Sequence, residues 1–246
     1  MGAAVCDALP MTPAPFVVEA LPEPFALDPR SAAVLVIDMQ NDFGAPGGMF
    51  GRAGIPLAAI EAAVAPIARL LPAARRAGVA IVYLTMQFSP DLSDAGAPDA
   101  PNYVKHVPLG VGDGQTLIAG SWGAQILPAL RPVPGDVVVP KHRYSGFFET
   151  RLDDELRARG IDTLLFTGCT TSVCVDATLR DAFYRDYRCL LLADCTGEPL
   201  GGAEARTNHE ATLLTIQTLF GWVTDSAAVL DALGEGAPDT AALVES

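Results

Sequence analysis

Six short apolar runs punctuate this chain, and their spacing limits the fold more than any other feature. Residues 32–37, 79–85, 136–139, 161–166, 188–193 and 221–224 are bounded by turn residues and read as strands. The first, Ala32-Ala33-Val34-Leu35-Val36-Ile37, is apolar at every position, the mark of a strand covered on both faces of a parallel sheet. Helical patterns separate the runs, at about 57–77, 121–130, 151–159, 175–187, 203–219 and after Ser226. Strand and helix in alternation predict one α/β domain with a parallel sheet between two helical layers. Ligands of such sheets bind at the carboxyl ends of strands, near the point where strand order reverses.

Local signals refine this outline. Pro66 and Pro72 fall inside the 57–77 pattern and predict two short helices rather than one long one. Ser121, Thr150 and Ser226 are candidate N-caps, as is Thr171 or Ser172 for the helix that follows the fourth strand. Residues 1–30 lack periodicity and are expected to form an irregular arm ahead of a single domain over 31–246. Residues 87–120 carry many Pro, Gly and Asp; a loop of that length predicts a lid or an oligomer contact.

The chain of 246 residues holds 16 basic and 29 acidic residues, for a net charge of −13. That balance argues against nucleic acid or an anionic membrane as partner, since both need a basic face. The five cysteines show no zinc spacing, and no export signal or membrane-length apolar stretch is read. A reducing cytoplasm and a homo-oligomer, dimer or tetramer, are the expectations. His106, His142 and His209 are too scattered for a ligand set, so no metal is expected. Gly110-Val111-Gly112-Asp113-Gly114 follows no strand and lacks the last glycine of a dinucleotide loop, so no cofactor is expected.

Three residues stand at carboxyl ends of strands: Asp38, Lys141 and Cys174, the last within Gly168-Cys169-Thr170-Thr171-Ser172-Val173-Cys174. In a parallel sheet all three share one edge. Cys174 falls in the first turn of a helix, where free N–H groups and the dipole favour a thiolate. The combination fits acyl transfer, with Cys174 attacking a carbonyl and Asp38 moving the proton. The backbone N–H groups of Thr170 and Cys174 are candidates for the oxyanion hole. Ordinary Asp and Cys pKa values lie about 4–5 units apart, so the site has to narrow that gap. The helix end and Lys141 are expected to lower the thiol, and desolvation to raise Asp38. No Gly-x-Ser-x-Gly occurs, which removes the usual serine hydrolase.

Val36-Ile37-Asp38-Met39-Gln40-Asn41-Asp42-Phe43, Pro140-Lys141 and the 168–175 stretch resemble, in order, the three signatures of the isochorismatase-like cysteine hydrolases. The resemblance runs from about Ala32 to Leu233. It implies a Rossmann-like three-layer fold with six mainly parallel strands, an Asp38–Lys141–Cys174 triad and a cis peptide at Cys169–Thr170. Residues 140–148, Phe220-Gly221-Trp222-Val223, Gly120-Ser121-Trp122 and Pro101-Asn102-Tyr103 are similar to the ureidoacrylate amidohydrolases; Cys189 to Cys195 is similar to biuret hydrolase. Both branches imply a small ureido or amide substrate, cleaved at C–N with release of ammonia. Met86 to Asp91 contains no His, unlike the metal-binding nicotinamidase branch. Trp122, Arg143, Tyr144 and Phe148 are expected to line the substrate pocket, with packing as the alternative role for the aromatics. The other function classes are a non-catalytic interaction protein of the same fold and a vinyl-ether-cleaving relative that needs no cysteine.

Overall fold

The computed structural model describes residues 15–235. β1 (Phe16–Val18) and β2 (Phe25–Leu27) form a small antiparallel pair, so the second half of the expected irregular arm is ordered. Residues 1–14, with Cys6, lie outside the described residues. The arm docks on the domain by reciprocal backbone bonds between Leu21 and Val223, 2.8 and 2.9 Å long.

The main sheet is built from β3 (Ala32–Ile37), β4 (Ala80–Met86), β5 (Val137–Lys141), β6 (Thr163–Cys169), β7 (Arg188–Gly197) and β8 (Trp222–Thr224). Its order is β5-β4-β3-β6-β7-β8 and every pairing is parallel. The direction of winding reverses between β3 and β6, which puts the ligand crevice at the carboxyl ends of those two strands. All six residues of β3 are buried. Ala32, Val34 and Val36 join the apolar cluster on one face; Ala33, Leu35 and Ile37 join the cluster on the other. Each fully buried Val, Leu or Ile contributes roughly 1.5–3 kcal/mol, so the central strand anchors both layers.

α1 (Asn41–Gly44) and α2 (Met49–Arg52) are single turns beside the sheet edge. α3 (Ala58–Ala77) runs unbroken through Pro66 and Pro72, against the expectation of two helices. Ile60, Ala63, Ile67, Leu70, Leu71 and Ala74 form its buried face, and Pro66 is buried with them. That packing outweighs the hydrogen bond each proline removes. Gly78 ends α3 in the left-handed region, at φ 88°. α4 (Pro101–His106) interrupts the long 87–120 loop.

The helix expected at 121–130 does not form. Asn41, Asp42 and Leu127 instead bond the backbone across to Gln125, Gly123 and Met39, and only Pro128–Leu130 makes a 3-10 turn. Those backbone groups are committed to the loop after β3, so a local helix has none to use.

α5 (Leu152–Ala158) and α6 (Asp176–Phe183) cover the second face. α7 (Asn208–Leu219) starts with a complete capping box: Thr207 Oγ1 accepts Glu210 N–H at 3.1 Å, and Glu210 Oε2 accepts Thr207 N–H at 2.9 Å. α8 (Ser226–Ala232) is capped by Asp225 rather than Ser226, whose hydroxyl donates to Asp194 Oδ2 at 2.5 Å.

At the crevice, Gly168 of β6 has φ 111°, and a Cβ there would stand 2.0 Å from the Ile37 carbonyl oxygen. Only glycine lets β6 approach β3 this closely. The β6–β7 register shifts at the same place, between Phe166 and Gly168.

Candidate active site

Asp38 is the residue after β3 and takes φ 52°, a left-handed conformation that Asp tolerates better than most side chains. It is fully buried, and its Oδ1 accepts the Met86 N–H at 2.9 Å. Gln40 braces the same strand end. Its Oε1 shares that N–H at 2.8 Å, and its Nε2 donates to the carbonyls of Met86 and Ala124 at 3.0 and 2.8 Å. Gln40 was not singled out from the sequence, because only the fold shows that it bridges three segments.

Lys141 closes β5 and is also fully buried. Its Nζ sits 2.7 Å from Asp38 Oδ2 and donates to the Arg143 carbonyl at 3.2 Å. Burial penalises the ammonium, but Asp38, with Cys174, outweighs that and holds the Lys141 pKa above its ordinary value. Burial moves the Asp38 carboxyl above the usual carboxylate range, with Lys141 pulling the other way.

Cys174 lies in a wide turn, Thr171–Val175, that leads into α6; Val175 N–H reaches back to the Thr170 carbonyl at 3.2 Å. Wide turns of this kind recur at functional sites. Thr170 stands at the cap position without a side-chain hydrogen bond, so neither Thr171 nor Ser172 is the cap. Thr171 Oγ1 pairs with His209 Nδ1 at 3.0 Å, and the Glu198 carboxylate accepts the Ser172 N–H at 2.7 Å and the Leu200 N–H at 3.0 Å. The Cys169–Thr170 peptide is cis. Among the described residues no acceptor is bonded to the Thr170 N–H.

The thiol differs from expectation. Burial drives the Cys174 pKa well above its ordinary value; Lys141 lowers it and Asp38 raises it further. Cys174 is 6 % exposed, and loss of water outweighs the helix end and the ammonium. The resting group is a neutral thiol beside an ion pair. Cys169, Cys189 and Cys195 are buried free thiols, all raised by desolvation, Cys189 to about 12.

A cavity of about 190 Å³ opens on Cys174, space for about six waters at ~30 Å³ each. Phe43, Met49, Phe50 and Ile55 supply one wall, and Met86, Leu109, Val173 and Leu200 complete the apolar lining. Its polar atoms come from His106, Tyr144, Thr170 and Cys174.

Of the four expected wall residues, Tyr144 lines this cavity; Trp122, Arg143 and Phe148 do not. The Arg143 guanidinium turns back to the carbonyls of Asp94 and His142, at 2.9 and 2.6 Å, and stacks over Phe148 at 5.6 Å. Trp122 is 52 % exposed and packs near Gly47. No group of three metal-ligating side chains occurs among the described residues.

The Isochorismatase domain model matches residues 32–228. The chain is 44 % identical over 224 residues to the ureidoacrylate amidohydrolase RutB of Methylobacterium radiotolerans, covering 89 % of this chain and 85 % of that one. It is 42 % identical over 239 residues to the protein of the same name from Variovorax paradoxus, covering 95 % and 92 %. A crystal structure of a cysteine hydrolase from Pseudomonas syringae pv. phaseolicola 1448A superposes with a TM-score of 0.73 at 32 % identity, covering 89 % of this chain and 97 % of that one. With the sheet order, the crevice at β3 and β6 and a family match spanning most of its length, the chain belongs to the isochorismatase family.

Proposed function

We propose that this protein is a cysteine-dependent amidohydrolase that cleaves the terminal C–N bond of a small ureido compound of the ureidoacrylate type and releases ammonia. The observation that carries the proposal is a buried Asp38–Lys141 pair, 2.7 Å apart, next to a buried thiol on a small and largely apolar cavity. Two relatives named ureidoacrylate amidohydrolase, similar over most of both chains, support the substrate class.

In this reading the neutral Cys174 thiol is the resting nucleophile. Its sulfur attacks the carbamoyl carbon as its proton passes to Asp38, so no free thiolate accumulates in the desolvated site. Lys141 keeps the pair near neutral before transfer and balances the charge that develops on the reacting atoms. The carbonyl oxygen becomes an oxyanion beside the N–H groups of Thr170 and Cys174. Asp38 returns the proton to the leaving nitrogen, ammonia departs, and an S-acyl enzyme remains. Water, deprotonated by Asp38, then attacks the thioester carbon, and the thiol is reformed.

The protein is further assigned to a homo-oligomer in a reducing compartment. Tyr184 and Leu219 are large apolar side chains left 70 % and 63 % exposed. No helix among the described residues is long and apolar enough to cross a membrane.

The test is ammonia release from ureidoacrylate, biuret, N-carbamoyl amino acids, nicotinamide and simple amides, beside Cys174→Ala. Turnover of a ureido compound that vanishes in the variant is the expected result. No turnover on any compound, with Cys174 inert to alkylation, would leave an interaction protein of the same fold. Turnover that survives Cys174→Ala would remove the cysteine mechanism.

A further inference from the structure

The reaction described above uses Thr170 and Cys174 and leaves His106, another polar residue of the cavity wall, without a task. His106 ends α4 and is 4 % exposed. Its Nδ1 lies 2.6 Å from the Asn102 carbonyl oxygen. A carbonyl only accepts, so Nδ1 carries the proton. The ring is fixed on two sides, edge-on to Phe88 with centroids 5.8 Å apart and tilted against Tyr144 at 5.4 Å. Burial holds its pKa below the ordinary imidazole value; the hydrogen bond to Asn102 pulls the other way, and the positive charges of Lys141 and Arg143 add to the lowering. A neutral ring with its proton on Nδ1 presents a bare lone pair at Nε2.

No group among the described residues donates to that nitrogen, although the residue is almost wholly enclosed and lines the cavity. Nothing else in the wall supplies a ring acceptor: Tyr144 offers a hydroxyl, and the rest of the lining away from Cys174 and Thr170 is apolar. Nε2 is not a sealed, unpartnered atom but one open to the cavity, where a ligand N–H can take the place of solvent. A ligand without a donor leaves the lone pair unpaired.

We propose that His106 is a specificity-determining residue whose Nε2 accepts a hydrogen bond from the internal N–H of the ureido substrate. The inference rests on the amidohydrolase reading and deepens it by naming what the cavity reads. The terminal amino group leaves during the reaction. The internal N–H stays on the acyl group through both steps, so it is the donor a fixed acceptor can hold throughout. A site that supplies an acceptor for a substrate N–H rejects an analogue that lacks it, because the lone pair is then left facing another lone pair.

The test compares kcat/KM for ureidoacrylate with that for the carbamate in which oxygen replaces the internal N–H. Intrinsic reactivity differs between the two compounds, so the quantity to follow is how their ratio changes between enzymes. His106→Phe keeps a ring but has no acceptor. The ureido-to-carbamate ratio is expected to fall at least tenfold in it, through loss on the ureido compound alone. His106→Gln retains a carbonyl acceptor and is expected to recover part of the preference, with its change mostly in KM. A ratio within twofold of the original in active His106→Phe, or a ratio in active His106→Gln no higher than in His106→Phe, overturns the proposal. So does loss of cooperative unfolding in both variants, which would make His106 a packing residue. Failure of the parent protein to turn over any ureido compound is a separate result and would sink the amidohydrolase reading itself.

Discussion

Two helices of this protein begin in opposite ways. α7 satisfies its own first turn, with Thr207 and Glu210 exchanging hydrogen bonds across the capping box. The turn that leads into α6 has no such device. Thr170 gives no side-chain cap, and Thr171 faces His209 instead. Ser172 N–H is taken by Glu198 just past the end of β7, and Val173 and Val175 N–H turn back to the Thr170 carbonyl. A locally capped helix start is stable by itself but closed to a ligand. One held from outside keeps donors free for an anion and depends on the rest of the sheet edge to stay in place. The same contrast separates a start that supports the fold from one that supports chemistry.

The sharpest way to break this comparison is at the nucleophile. Cys174→Ala is expected to cut kcat/KM by at least about a thousandfold, with little change in melting temperature. Asp38→Ala strips the partner from a buried ammonium; a loss of about 3–5 kcal/mol in denaturant unfolding is expected, along with activity. Asp38→Asn combined with Lys141→Met removes both charges together, and should recover much of that stability while remaining inactive. Recovery of turnover in the double variant would show that the pair is scaffolding.

The pH dependence comes next. Asp38 acts as base only when ionised, and burial raises its pKa above the usual carboxylate range. kcat/KM should therefore fall as the pH drops through that raised value, by about tenfold per unit below it, with an acid limb above the ~3.9 of a free Asp. A limb at or below the free value would place the base elsewhere. Glu198→Ala leaves the Ser172 and Leu200 N–H groups without their acceptor and should cost roughly 1–3 kcal/mol, with a fall in kcat and slower alkylation of Cys174. Thr207→Ala is the control at the other helix, expected to cost about 1 kcal/mol of stability and to leave kcat unchanged.

The strands were legible in the sequence because a parallel sheet buried on both faces leaves apolar runs such as Ala32–Ile37. The convergence of Asp38, Lys141 and Cys174 was legible for the same reason, since strand ends are where such runs stop. The unbroken α3 was hidden: Pro66 and Pro72 are local breakers, and the packing that overrides them is tertiary. Residues 121–130 carry a helix-like pattern whose backbone groups are claimed by a distant segment. The cavity wall was hardest to see. Phe43, Met49, Leu109 and Leu200 look like core in a sequence, and only three dimensions separate a lining residue from a packed one. Trp122, Arg143 and Phe148 showed the reverse, side chains suited to a pocket that the fold places beside it. His106 lay in a stretch with no pattern, and its partner Asn102 is visible only once α4 has formed.

Gly168 has a consequence beyond its own strand. The separation between the loop that carries the base and the turn that carries the nucleophile is set at the last β3–β6 pair, where Gly168 lies against the Ile37 carbonyl with no room for a Cβ. A single added carbon there would act as a shim, widening the seam and moving Asp38 and Cys174 apart. Substrate preference can drift through the loops around the cavity, each free to change alone. The distance between the reacting groups has no such freedom, so diversification on this scaffold is a matter of remodelling the mouth while the hinge of the chemistry stays fixed.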